Sequence, residues 1–569
     1  VGVLRVDDAT TALLEQETGA VRKDRRAEIS VALVYPNTYA VGMSSLGFQA
    51  VYRLLNDMDT VACERVFLAP FSLESHRPLK DFDMVAFSLS FENDYPNMLA
   101  ILEAGGLPLR AAHRAPPHPL VLAGGVTSFL NPEPVAPFID CFLIGEAEAL
   151  LPPFMELFRE KKDRRTFLER AAQSIKGVYV PSFYTPEYAG DGTLKRFTPN
   201  GDVPAKVQRA FVPDLGNFPT FSSILTPHTT FDQTFLIEVS RGCPHGCRFC
   251  CAGFVYRPVR FRSLELLRDC LDRGTALTSK IGLMGAAVSD LPDIEALCRH
   301  AARRNARLSF GSLRADSLTD ELIDALVRGG VKTATVAPDA GSERMRRVIN
   351  KGVSEDDVLK AAERLVAAGV PNLKLYFMVG LPTETPDDVE AIVVLTRRVK
   401  HRFLKASKER GRIGTIQVSL SSFVPKPFTP FQWAPLDEVA DLKAKIRKVQ
   451  KGLRSVPNVR VHGDVPRWAY VQALLSRGDR RVAQILALSH DLGGNWPQAL
   501  KQSALNADFY VYRERPLDEL LPWDFIDHGI HKEYLIEEYH KALQAAVTPP
   551  CDVGRCTRCG VCPSPLPAA

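Results

Sequence analysis

The chain has 569 residues, 46% of them hydrophobic and 24% charged, with a formal net charge of +5. That length calls for about two to four globular domains, and the weakly basic balance permits an anionic partner such as RNA without demanding one. No stretch approaches the roughly eighteen consecutive apolar residues of a membrane-spanning helix, which excludes a bilayer-spanning role.

Residues 1–28 read as a charged N-terminal arm without the apolar core of a signal peptide. Residues 29–175 alternate short apolar strands (29–35, 84–88, 120–123 and 141–144) with helical stretches at 45–55 and 95–104. This predicts a doubly wound, Rossmann-like α/β domain with a buried parallel sheet. Residues 176–230 predict a β-rich connector, ending in a proline-bearing linker from 213 to 230. Residues 231–453 repeat a strand-then-helix unit six times, with strands at 234–239, 280–284, 307–311, 333–336, 372–379 and 415–420. Six such units predict a partial (β/α)6 TIM barrel, whose chemistry gathers at the carboxyl ends of the strands. Residues 454–569 read as a mainly helical C-terminal domain, with amphipathic spacing at 467–475, 480–488 and 532–546, closing on a cysteine cluster.

The barrel carries Cys243, Cys247 and Cys250 in a C-x3-C-x2-C run directly after its first strand. Three thiolates that close can hold three irons of a cubane [4Fe–4S] cluster and leave the fourth iron open to a small molecule. A zinc site would want a fourth ligand; His245 lies inside the loop and reads as shaping it. Cys251 reads as a buried neighbouring thiol. With Phe249 before the last cysteine, this spacing resembles the radical S-adenosylmethionine (SAM) superfamily. The resemblance implies that SAM chelates the open iron through its amino and carboxylate groups. It also implies that one electron, from a flavodoxin- or ferredoxin-type partner, cleaves SAM to methionine and a 5′-deoxyadenosyl radical.

The same resemblance assigns SAM contacts along the strand ends. Gly285 and Ala286 follow the second strand, where the family's acidic residue is missing. Ser312 and Arg314 follow the third. Glu343 and Arg344 follow the fourth, as candidates for a ribose hydroxyl and the methionyl carboxylate. Met378, Gly380 and Leu381 end the fifth, beside the adenine. Phe249 completes the set. On the residues alone, Arg314 either clamps a carboxylate bidentately or makes an ion pair on the rim. The turn after the fifth strand also reads as a β/α turn with Thr385 as helix N-cap before Pro386. The loop 423–433, with three prolines and four aromatics, either meets substrate or packs against the next domain.

In the first domain, Gly-Gly-Val-Thr-Ser at 124–128 and Gly-Glu-Ala-Glu at 145–148 resemble the cobalamin-binding domain found ahead of many radical SAM cores. The resemblance implies corrin contacts at Ser88, Gly124 and Gly125, because glycines after strands let a flat ring approach the backbone. The family's Asp-x-His-x-x-Gly motif would fall on Asn37, Tyr39 and Gly42, and tyrosine offers cobalt no imidazole. Either cobalamin binds without a protein nitrogen ligand, or the domain docks something else, or the glycines only turn the chain.

Cys551, Cys556, Cys559 and Cys562 form a C-x4-C-x2-C-x2-C set that reads as a second metal site, iron–sulfur or zinc, or as redox-active thiols. The remaining cysteines, Cys63, Cys141, Cys270 and Cys298, read as buried small hydrophobes. Clustered rather than paired cysteines fit a reducing cytoplasm. Over nearly its whole length the chain resembles an uncharacterised bacterial family of radical SAM proteins with a cobalamin-binding domain. That implies a radical enzyme, with cobalamin-linked methylation of an unactivated carbon, on RNA or protein, as the expected activity. The alternatives are methylthiotransferase-like sulfur insertion and a non-catalytic iron–sulfur sensor or electron carrier.

Overall fold

The computed structural model describes residues 8–23, 27–311, 313–411, 413–553 and 555–562. Its first sheet runs Val61–Val66, Ile29–Val34, Met84–Ser88, Leu120–Gly124 and Cys141–Leu143, all parallel, with Val178–Tyr179 antiparallel at the edge. Ile29–Val34 is buried at every position, as a strand covered on both faces must be. The strand at 61–66 escapes the apolar pattern because Glu64 and Arg65 interrupt it. Arg65 is fully buried and is neutralised by Glu17 at 2.7 Å and Glu74 at 2.6 Å. The resulting strand order has its switch point between the first and third strands, where such sheets take ligands at their carboxyl edge.

The second sheet system is parallel throughout. Phe235–Glu238, Lys280–Met284 and Arg307–Phe310 pair in that order, and Thr333–Asp339, Asn372–Val379 and Ile416–Ser422 pair in theirs. A bridge between Leu313 and Val336 joins the two halves into one curved wall. The partial barrel extends one strand beyond the six expected. Val459–Gly463, in the stretch read as the start of a helical domain, adds in parallel to Ile416–Ser422. The supposed linker is likewise structured: Ser222 N–H donates to Leu236 and Glu238 N–H to Thr220, so it runs along the first barrel strand.

Past the barrel, Pro466–Arg477, Val482–Asp491 and Lys532–Leu543 are helices. The aromatic loop at 423–433 packs into this region. Trp433 and Phe431 are fully buried, and Gln432 Oε1 accepts from the Trp523 indole at 2.8 Å. Of the single cysteines, Cys63, Cys141, Cys270 and Cys298 are all buried.

A buried ion network fixes the α/β domain against the barrel. Glu146, 5% exposed, accepts from Arg260 at 2.6 and 3.0 Å and from Arg241 at 3.1 Å. Arg241 also reaches Glu148 at 2.6 Å and Glu238 at 3.1 Å. Burial pushes the Glu146 carboxyl up, but Arg260 and Arg241 outweigh it and hold it below the ordinary carboxylate range. The Gly-Glu-Ala-Glu run therefore works as an interdomain clamp. Gly145 is required there because its φ is +145° and a Cβ would stand 2.2 Å from the Ala210 carbonyl.

Removing one partner of a buried pair strands the other charge, so Glu146→Ala is expected to cost about 3–5 kcal/mol, read by denaturant or thermal unfolding. Because the folded carboxyl titrates below its ordinary 4.5, its contribution is complete above that pH and fades as the pH falls through the folded value. Glu146→Gln should therefore flatten the acid limb of the stability profile.

Candidate active site

The cysteine loop begins where the first barrel strand ends. Ser240–Arg241 pairs antiparallel with Arg260–Phe261, closing the loop at its base. Gly242 starts it at φ +82°, where a Cβ would lie 2.8 Å from the Tyr256 carbonyl. Inside, Cys250 N–H donates to Cys247 O at 3.0 Å, and a Cβ on Gly253 would lie 2.6 Å from His245 O. His245 Nε2 sits 2.7 Å from Asp290, which fixes the ring within the loop.

Neighbouring segments hold the loop by its backbone. Arg248 N–H donates to Ile349 O at 3.0 Å, and Asn350 Nδ2 donates to Gly246 O at 3.2 Å. The fully buried Arg248 guanidinium reaches Val348 O at 3.0 Å and Glu538 at 3.0 Å. Burial pushes the Cys243 thiol up to about 11, and the Cys247 and Cys250 thiols are also raised chiefly by burial. At Cys247 the cations of Lys351 and Arg314 work against that rise. Iron replaces the thiol protons and removes this penalty, so three thiols, with two cations acting on Cys247, suit a bound anionic cluster.

Arg314 is the assigned strand-end residue that stands beside this loop. It binds Asp316 through two hydrogen bonds, at 3.1 and 2.8 Å, and the Lys351 carbonyl at 3.1 Å. Gly285 and Ala286 lie across from Ser240; a Cβ on Gly285 would be 2.7 Å from its Oγ. Glu343 and Arg344 face elsewhere. Glu343 accepts from Glu355 N–H at 3.2 Å, and Arg344 binds Asp388 and the Thr383 carbonyl. Gly380 N–H donates to Glu384 at 2.8 Å, and Thr385 and Asp388 form a capping box, so this turn has a helix-starting job. Leu381 is buried beside it, Met378 and Phe249 are half-buried against the core, and Ser312 lies outside the described residues.

Two residues went unassigned in the sequence. Asp339 ends the fourth barrel strand at φ +62°, 9% exposed, and accepts from Lys351 Nζ. An acid at a barrel strand's carboxyl end in a left-handed conformation is a functional signal. In the sequence, its strand-end position was the one available cue.

The first domain contributes a cavity of about 450 Å³. It lies between one sheet face, with Val31, Leu33, Met84, Ala86 and Leu122, and the helices Leu46–Asn56 and Ala147–Arg159. It passes Ser88, Gly124 and Gly125 and ends on Arg241, Gly242, Ala252, Tyr256, Gly285 and Ala286. One wall is thus the inside of the α/β domain and another is the cysteine loop. A Cβ on Gly47 would meet nothing within 4 Å, one on Gly124 would meet Leu143 O at 3.8 Å, and Ser240 Oγ is buried without a partner. Among the described residues, no histidine lines this space. Asn37, Tyr39 and Gly42 lie outside it. Asn37 donates to Asp94 at 2.8 Å, the Tyr39 hydroxyl donates to Glu17 at 2.6 Å, and a Cβ on Gly42 would strike the Phe67 ring at 2.5 Å. The tyrosine at the histidine position is therefore a packing and hydrogen-bonding residue.

Comparison with known proteins agrees with this geometry. Residues 47–181 match a family model described as radical SAM proteins, N-terminal, and residues 237–395 match the radical SAM superfamily. The uncharacterized protein MJ0966 of Methanocaldococcus jannaschii is 31% identical over 509 residues, covering 89% of this chain and 99% of that protein. The tRNA-2-methylthio-N(6)-dimethylallyladenosine synthase of Jannaschia sp. is 25% identical over 225 residues, 37% of this chain and 48% of the synthase, so the match spans about half of that relative. Among solved structures, the cobalamin-dependent SAM radical enzyme OxsB with aqua-cobalamin and SAM bound aligns over 90% of this chain and 79% of its own. The TM-score is 0.43 and the identity 12%. No helix among the described residues is long and apolar enough to cross a membrane. With the barrel, its cysteine loop, both family models and a relative matched from end to end in agreement, this chain belongs to the radical SAM superfamily.

Proposed function

We propose that this radical SAM enzyme uses cobalamin bound between its first two domains to methylate an unactivated carbon. The observation that carries the reading is the single cavity that runs from inside the α/β domain to the cysteine loop. Ser88, Gly124, Gly125 and the apolar slot between sheet and helices would hold such a macrocycle. The open ground beside Gly47 and Gly124, and the unpartnered Ser240 hydroxyl, suit such an occupant. The absence of histidine from the lining suits cobalamin held without a protein nitrogen ligand.

When bound, the [4Fe–4S] cluster supplies an electron to SAM and cobalamin supplies a methyl group. The chain's own residues do the rest. Cys243, Cys247 and Cys250 would hold three irons, and the Gly285–Ala286 backbone offers hydrogen bonds to the SAM amino group. Arg314 orients the carboxylate, and the Asp339–Lys351 pair places a buried acid and cation beside the cluster. Glu92 binds Lys426 and accepts from Gln472 at 3.0 Å, closing the space near Cys251 with residues from three domains. A second reading, sulfur insertion, is favoured by the partial similarity to a tRNA-2-methylthio-N(6)-dimethylallyladenosine synthase, and it would make RNA the substrate.

Anaerobic reconstitution with iron, sulfide and hydroxocobalamin, followed by metal analysis, is expected to give stoichiometric cobalt; iron without cobalt would favour sulfur insertion. Gly47→Trp, at a helix position where a Cβ would meet nothing within 4 Å, puts bulk into the cavity and should abolish cobalt binding while iron content stays at the wild-type level. Arg314→Ala is expected to weaken SAM binding roughly 10–100-fold by loss of a charged hydrogen bond, measured by equilibrium titration of the reconstituted protein. Cys251→Ala should keep the wild-type cluster absorbance, whereas Cys247→Ala should lose it.

A further inference from the structure

The four C-terminal cysteines have no part in the site above, yet the segment that carries them is bound to the cysteine loop. Thr548 N–H donates to Asn350 Oδ1 at 2.9 Å, and the same Asn350 amide donates to Thr548 O at 3.1 Å and to Gly246 O inside the loop. Thr548 Oγ1 donates to Glu538, the carboxylate that neutralises Arg248 between Cys247 and Cys250. Cys551 N–H then donates to Pro244 O at 2.8 Å. Standard bond lengths added to that hydrogen bond put the Cα atoms of Cys551 and Cys243 at most about 11 Å apart.

The other side of the set is held as firmly. Cys559 is 2% exposed, and its carbonyl accepts from His531 N–H at 2.9 Å. The Arg257 guanidinium donates to Gly253 O at 2.6 Å and lies over Tyr534 at 5.3 Å. Arg558 Nε stands 3.4 Å from Cys556 Sγ. Four cysteines within twelve residues, spaced C-x4-C-x2-C-x2-C, resemble ferredoxin spacing more than a zinc ribbon's two separated pairs. Cys551, Cys556 and Cys562 are partly exposed, and Arg555, 87% exposed at its side chain and 3.8 Å from Asp552, lies on the outer face.

We propose that Cys551, Cys556, Cys559 and Cys562 bind a second iron–sulfur cluster, seated on the outer backbone of the SAM-cluster loop, that relays electrons to the first cluster. A one-electron donor of the flavodoxin or ferredoxin class, with an acidic surface to meet Arg555 and Arg558, is oxidised by one electron. The tail cluster takes that electron and hands it on, returning to its oxidised state, and the first cluster is reduced by one electron. No bond or proton changes place. The inference rests on membership of the superfamily and is independent of whether cobalamin binds.

The test uses full-length protein reconstituted anaerobically, as wild type, as Cys556→Ala/Cys562→Ala, and as Cys243→Ala/Cys247→Ala/Cys250→Ala. About eight irons per chain are expected in the wild type and about four in each variant. The triple variant should give a reduced-cluster EPR signal that SAM does not shift, and the tail variant one that SAM does shift. In stopped-flow absorbance, reduction of the first cluster by reduced flavodoxin should slow by at least an order of magnitude in the tail variant, while reduction by titanium(III) citrate stays unchanged. One zinc per chain that the tail substitutions remove, or four irons in both wild type and tail variant, would overturn the cluster. Equal flavodoxin rates with eight irons would overturn the relay. Cobalt content, measured on the same samples, reports separately on the cobalamin reading.

Discussion

The structure depends on charge pairs that cross domain boundaries in dry surroundings. Glu146 at the head of one helix of the α/β domain meets Arg241 and Arg260, which flank the cysteine loop on both sides. The two arginines form the antiparallel base of that loop, so the same contact that docks the domains also sets where the three thiols begin. A hydrophobic contact would join the domains without fixing the angle between them. A bidentate arginine–carboxylate pair fixes direction as well as distance. The cavity between the domains inherits its shape from that constraint.

A second layer of backbone anchoring turns the loop into a rigid seat. Loops usually carry function on a scaffold of regular elements. Here the scaffold includes parts distant in sequence: Ile349 and Asn350 after the fourth barrel strand, Glu538 in the last helix, and Thr548 in the tail. Each satisfies a buried polar group of the loop, so the loop's conformation is over-determined before any metal arrives. The same logic places Asp339 in a left-handed conformation, where Lys351 holds it.

How much of this the sequence disclosed depended on how local each cause was. The strands Lys280–Met284 and Asn372–Val379 emerge with the expected bounds because their apolar runs are bracketed by turn residues. Val61–Val66 stayed hidden because Arg65 is buried only through Glu17 and Glu74, partners no window on the strand contains. Val459–Gly463 was hidden by its position after the sixth unit, in a stretch with half-exposed positions. The cysteine triplet was legible from its spacing together with its place between a strand and a helix. The role of Gly145 and Glu146 was not: glycine after a strand suits a ligand and a close backbone contact equally, and here Ala210 and two arginines decide. Glu343 and Arg344 match a motif, yet helix capping and Asp388 claim them. The docking of the tail through Pro244 O could not be read at all, since a backbone carbonyl leaves no mark on composition.

The pairing of Val207–Gln208 with Ile526–Asp527 bears on biosynthesis. The α/β domain is translated before the barrel, carrying Glu92, Glu133 and Glu146 in positions that become buried. Their cationic partners, Lys426, Arg480, Arg241 and Arg260, are translated later, and the connector's strand waits for a mate more than three hundred residues further on. Such non-local closure delays the final cooperative step until the later domains are made. The α/β domain is therefore not a portable module. Cut free of the rest, it would have to bury unpaired carboxylates or expose them, and in either case it would lose the surface that faces the cysteine loop.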